Sequence, residues 1–179
     1  NAISSNVSLP TAIDIEAYGD LLAINNHQRK ADLHFKLHTW ELGFLASTSE
    51  GAIAIPDSII AQGDASYSID SLHTKVQLNT PHGSAALDAG YNPSTQSYSV
   101  TATLAELDIR ELWPQGTVGN ATLQASITGK GFNLEDSITT ADARLHIDSL
   151  QWGEKTIANA TIHSTKSSST MACLIFPSP

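Results

Sequence analysis

The stretch Ser84–Leu107, SAALDAGYNPSTQSYSVTATLAEL, decides the fold class. Its first half sets Ala85, Leu87, Ala89 and Tyr91 at every second position, and its second half does the same with Tyr98, Val100, Ala102 and Leu104. Successive side chains of a strand point to opposite faces, so a period of two marks a strand with one apolar and one polar side. Asn92-Pro93-Ser94 lies between the halves and favours a reversal. Two half-buried strands joined by a short turn make an antiparallel hairpin.

The same alternation continues in both directions. Towards the N-terminus it runs through Ile13, Ile15 and Ala17, then Leu33, Phe35 and Leu37, then Ala65, Tyr67 and Ile69, then Val76 and Leu78. Towards the C-terminus it runs through Ala121, Leu123, Ala125 and Ile127, then Ala143, Leu145 and Ile147, then Ala158, Ala160 and Ile162. Reversal chemistry recurs at His82-Gly83, Pro114-Gln115-Gly116, Gly129-Lys130-Gly131 and Trp152-Gly153-Glu154. Nothing sustains a 3.6-residue period; Leu104, Leu107 and Leu112 allow one short helical turn within 104–113. The expectation is all-β, about eleven sequential antiparallel strands.

Composition agrees. The 179 residues and 19.0 kDa suit one domain or an elongated piece of a longer protein. Charged residues are only 15%, while Ser and Thr number 38, a balance that favours strands with a solvated face over helical bundles. Nine basic against eighteen acidic residues give a net charge of −9, which leaves no basic stripe for nucleic acid and little attraction to an anionic membrane surface. Cys173 is the only cysteine, so neither an intrachain disulfide framework nor a Cys-rich zinc site can form. No apolar run approaches the roughly 18 residues of a spanning helix. Opening on Asn1 without a leader pattern reads as a mature or excerpted product.

Reactive chemistry is hard to find. His34 and His38 have a zinc-ligand spacing on a helix, but on a strand they stand about 13 Å apart with Lys36 between them. Gly129-Lys130-Gly131 lacks the helix pattern that a phosphate loop needs, and no serine sits in a nucleophile elbow. Glu135-Asp136 are adjacent loop carboxylates, and the three Asn-x-Ser/Thr matches at Asn6, Asn120 and Asn159 are short patterns in a Ser/Thr-rich chain. No enzyme and no cofactor emerge.

The apolar stripes pose the functional question. A β-sandwich core uses bulky aliphatic and aromatic residues, whereas many inward positions here are Ala and aromatics are 6%. Either the core is thin, or one curved sheet turns its apolar face to something other than protein. The alternative is a secreted β-sandwich binding module for glycans or a protein partner, with Trp40, Trp113 and Trp152 as stacking surfaces.

From Thr80 onward the cadence of Thr80-Pro81-His82-Gly83, Ser99 to Leu104, Leu107 to Leu112, Leu123 to Gly131, Ala141 to Leu150 and Ile157 to Ile162 resembles the repetitive β-domain of the TamB family, related to AsmA-like envelope proteins of Bacteroidetes-type bacteria. The resemblance covers 31–166, with N-terminal strands in 1–30 and a Ser-rich linker and tail in 167–179. It implies an elongated, half-pipe-like antiparallel sheet with an apolar concave groove. The implied role is conduction of phospholipids between the inner and outer membranes, assistance to outer-membrane protein assembly, or both. The implied setting is the periplasm, with the parent protein anchored in the inner membrane and an Omp85-type barrel engaged through other parts. Groove residues for phospholipid acyl chains would be Leu33, Phe35, Leu37, Tyr67, Ile69, Val76, Leu78, Leu87, Val100, Leu104, Leu123, Ile127, Leu145, Ile147 and Ile162. A segment with such a groove is expected to cover it by dimerising.

Overall fold

The computed structural model describes residues 2–9, 13–22, 30–40, 58–113, 115–133, 135–167 and 170–177. Their strands are β1 (Ala2–Leu9), β2 (Ile13–Leu22), β3 (Lys30–Trp40), β4 (Ser58–Ser68), β5 (Ser71–Thr80), β6 (Gly83–Asn92), β7 (Ser97–Asp108), β8 (Val118–Lys130), β9 (Thr140–Trp152), β10 (Lys155–Ser167) and β11 (Thr170–Pro177). They form one open 11-stranded sheet in sequence order, each strand antiparallel to the next. The all-β, antiparallel reading is what the structure shows, as a single sheet and not two stacked ones. A single 3-10 turn, Ile109–Glu111, falls inside the stretch whose leucines allow one helical turn.

Short connections enforce this order. Gly153 and Glu154 reverse β9 into β10, and Gly153 sits at φ 60, the left-handed region that two-residue hairpins favour. Pro81 and His82 join β5 to β6, and residues 93–96 join β6 to β7.

Register then sorts every side chain. Opposed residues share a face, so one row across the sheet reads Phe35, Gly63, Val76, Leu87, Ala102, Ala125, Leu145, Ile162 and Ile175. The next row reads Leu37, Ala61, Leu78, Ala85, Leu104, Leu123, Ile147 and Ala160. Large residues meet small ones at Leu37↔Ala61, Leu78↔Ala85 and Leu145↔Ala125, and one another at Leu104↔Leu123 and Leu145↔Ile162. The alanines that make the core look thin in the sequence are the partners of leucines within a single face.

What core exists lies at one corner. Among the described residues the buried hydrophobics are Leu107, Ala121 and Ile147, at 4%, 0% and 5% exposure. All three adjoin a line of irregular pairing. The β7–β8 register shifts between Leu104 and Leu107, with Glu106 at φ 52, and the β8–β9 register shifts between Thr122 and Leu123. An extra residue increases local bend and twist. Asp108 N–H donates to the His82 carbonyl at 3.1 Å, and a Cβ at Gly83 would lie 2.4 Å from the Leu107 Cα. The turn between β5 and β6 is therefore pressed against the bulge.

The C-terminal end, the linker and tail of 167–179, contains a strand that packs on the sheet. Ser167 closes β10, and Thr170–Pro177 pairs along β10 from Ser167↔Thr170 to Ala160↔Pro177. Ser168, Ser169, Ser178 and Pro179 lie outside the described residues. Backbone pairing explains the gain, because an apolar hexapeptide with no alternation gives no period-two signal yet completes a ladder when a free edge is available.

Candidate functional site

The two faces of the sheet have opposite chemistry. Fourteen of the fifteen expected groove residues fall on one of them: Leu33, Phe35, Leu37, Tyr67, Val76, Leu78, Leu87, Val100, Leu104, Leu123, Ile127, Leu145, Ile147 and Ile162. Ile69 does not pair; it stands in the turn between β4 and β5 and is 49% exposed. Two-residue reversals take the chain out of the pleat, so strict alternation fails at that position.

Side chains on this face cover one another along the sheet and are otherwise open. Leu33, Leu87 and Ile127 are 48%, 38% and 42% exposed. Every described strand belongs to the sheet itself, so among the described residues no second layer of strands lies over the face. Close packing within the layer is set by glycine. The Phe35 ring lies over Gly63, where a Cβ would come within 2.6 Å of the ring carbons. Tyr98 lies over Gly129 in the same way, its hydroxyl 2.5 Å from where a Cβ would stand.

An aromatic clasp marks one margin. Tyr91 and Tyr98 oppose each other on the apolar face. Phe132, from the loop after β8, stacks on Tyr98 at 5.2 Å between ring centroids and tilts against Tyr91 at 5.5 Å. Such pairs contribute about 0.5–1.5 kcal/mol beyond area burial. That loop is held by Gly131 N–H donating to the Gln96 carbonyl at 3.0 Å and by Lys166 Nζ donating to the Asp136 and Thr139 carbonyls, each at 3.3 Å. Tyr91 and Tyr98 stand in the alternating stripes, but nothing in the sequence sets them apart from the other apolar members. Phe132 follows a Gly-Lys-Gly turn, where periodicity carries no information.

The opposite face carries short ladders of imidazole, carboxylate and amide groups. His34 pairs with Asp64 and stacks on Tyr18, ring centroids 4.9 Å apart. Asp88 accepts from His73 Nε2 at 2.8 Å and lies 3.3 Å from Lys75 Nζ, and Gln62 donates to Gln77 at 2.8 Å. Asp142 accepts from His163 Nε2 at 2.8 Å and Arg144 Nε at 3.1 Å. The His163 hydrogen bond leads in holding the Asp142 carboxyl below the usual aspartate value, with Arg144 adding to it. At Asp88, desolvation pulls upward but the Lys75 and His73 hydrogen bonds outweigh it, and the net direction is down.

His34 and His38 do share this polar face with Lys36 between them. Among the described residues no three His, Cys, Asp or Glu side chains gather as a metal site would require. A polar depression of about 460 Å³ lies around Tyr18, His34, Gln62 and Asp64. It belongs to the polar face, where His34 pairs with Asp64 and Gln62 donates to Gln77. Trp40 ends β3 and contacts His38 at 5.1 Å between centroids, while Trp113 and Trp152 are 57% and 54% exposed near the strand ends. Among the described residues no ring contact joins the three indoles to one another.

Comparison with known proteins gave no match to a protein-family model, a curated protein or a solved structure.

Proposed function

We propose that the apolar face is a path for phospholipid acyl chains, and that the chain is a segment of a TamB-like lipid conduit or assembly protein of the bacterial envelope. One observation carries this reading: apolar rows run unbroken from strand to strand across the sheet, and among the described residues no protein layer covers them. Exposed apolar area of this extent costs free energy in water at about 25 cal/mol per Å² and needs an occupant. Acyl chains suit it because they are apolar, extended and tolerant of a surface whose few polar groups between its margins are hydroxyls such as those of Thr74 and Ser164. The half-pipe shape would be the form in which the sheet encloses them. Thr39 is buried on this face with its hydroxyl engaged by the Ile59 backbone, which leaves it no anchor for cargo and suits transit, since tight local binding would hold the cargo in place. The setting would be the periplasm, with the anchor and the Omp85-type barrel contacted through parts of a longer protein.

Native mass spectrometry and solvent extraction of the purified protein test this directly. Co-purified phospholipid is expected, and its loss is expected in Leu123→Arg and Leu145→Arg with the sheet retained by far-UV circular dichroism. Protein that carries no lipid and takes up none from phospholipid vesicles would count decisively against the reading.

A further inference from the structure

The apolar face is graded in polarity along the strands. Tyr67, Leu72, Tyr91 and Tyr98 oppose one another in succession on β4 to β7, and their row runs on to Lys166 of β10. Three of the chain's four tyrosines therefore stand in one row; the fourth, Tyr18, opposes His34 on the polar face. In the next row, which begins at Leu33, only Thr74 and Ser164 carry hydroxyls. The two rows beyond, through Leu87 and through Leu104, hold no side-chain nitrogen or oxygen from β3 to β10. All of these strands are paired on both sides.

We propose that phospholipid lies along the strands, with its headgroup phosphate at the tyrosine row and its acyl chains running over Val100, Ala102 and Leu104 towards Leu107. A phenol has an apolar body and one polar tip, the combination enriched where hydrocarbon meets water. Among the described residues no hydrogen bond engages the hydroxyls of Tyr67, Tyr91 and Tyr98, and Tyr67 is 42% exposed. Each hydroxyl can donate to a phosphate oxygen, a charge-assisted bond. Lys166, tied to the loop after β8 through the Asp136 and Thr139 carbonyls, brings an ammonium to the same margin. The opposite margin has aliphatic Leu107, Ala121, Leu150 and Ile157 in place of such donors. Depth also fits. Tyr98 and Leu104 are about 20 Å apart along β7, and the hydrocarbon of one leaflet is about 15 Å deep, half of a bilayer core. This inference rests on the acyl-chain reading of the face and adds the direction in which the lipid lies.

Two nitroxide-labelled phosphatidylcholines, one labelled on the headgroup and one near the chain ends, are bound in turn to the isotope-labelled chain, and amide broadening is read by NMR. The headgroup label should broaden the amides of Tyr67, Tyr91 and Tyr98 several-fold more than those of Leu78, Leu104 and Leu123. The chain-end label should reverse that order. In a second measurement, Tyr67→Phe/Tyr91→Phe/Tyr98→Phe keeps the rings and removes the hydroxyls. It should bind a pyrene-acyl phosphatidylcholine about tenfold more weakly than the parent, and the diacylglycerol with the same acyl chains equally well. Equal broadening of both rows, the opposite order, or a triple variant that holds phosphatidylcholine as the parent does would overturn the proposal while leaving acyl chains on the face. A parent chain that binds neither lipid overturns it together with the acyl-chain reading. The broadening pattern is read on the unaltered chain, so it decides the matter even if the variant fails to fold.

Discussion

Replacing Leu87 with Arg separates the demands of folding from those of lipid binding. Leu87 lies between Val76 and Ala102 in a row of the apolar face and is 38% exposed. The protein itself therefore covers about three-fifths of a side chain whose full burial is worth roughly 1.5–3 kcal/mol, so the folding loss is capped near 1–2 kcal/mol. Arg lowers it further by laying its aliphatic stem along the neighbours. Against acyl chains the guanidinium meets hydrocarbon, where insertion scales assign about 2.5–3.5 kcal/mol. That corresponds to a roughly 60- to 300-fold weaker affinity. The matching control is Thr103→Arg on the polar face, where Thr103 opposes Ala86 and Gln124. Both variants are titrated with a fluorescent phospholipid analogue, and folding is checked by circular dichroism. Binding within about threefold of the parent in Leu87→Arg, or an equal loss in Thr103→Arg, refutes the assignment of lipid to this face.

Further outcomes follow from the corner core, the pressed turn and the carboxylates. Leu107→Ala empties a buried site and should lower stability by about 2–4 kcal/mol in urea unfolding, a large share for a sheet with so few buried residues. Gly83 is at φ 129, and backbone atoms of Leu107 and Glu106 lie 2.4–2.5 Å from where a Cβ would stand, so Gly83→Ala should destabilise more than Gly153→Ala in the same assay. Gly153, at φ 60, has nothing within 4 Å, and its loss is limited to the left-handed backbone cost of about 1–2 kcal/mol. Asp88, Asp108 and Asp142 all lie below the usual 3.8, Asp108 because Arg110 hydrogen bonds outweigh a desolvation that pulls upward. Depressed folded values add stability above pH 3.8 that is lost as pH falls through the folded values. Urea midpoints followed from about pH 6 to about pH 3 should therefore decline towards acid, with a shallower slope in Asp142→Asn.

Most of the fold is legible because a half-solvated strand writes its own period into the sequence. The stripes at Leu33–Leu37, Ala85–Tyr91, Tyr98–Leu104, Ala121–Ile127 and Ala143–Ile147 all lie within strands, and their apolar members share one face. β11 is not legible, since MACLIF has no alternation and owes its strand to the ladder offered by β10. Ile69 misleads for the converse reason: it keeps the period but sits where the chain has left the pleat. The bulge line leaves no local mark, because an extra residue in one strand is visible only against its partner.

Within the alternating stripes the sequence by itself determined which side chains share a face, because there that depends only on the two-residue period of a strand. It also determined that the faces differ, one of Leu, Val, Ile and Ala and the other of Ser, Thr, acids and imidazoles. Only the tertiary structure decided that the described strands lie in a single layer, in chain order, with no second layer of described strands over the apolar face. The physical reason is that alternation is satisfied equally by a second sheet, a lipid or another copy, and the choice is made by pairing between strands distant from any local pattern.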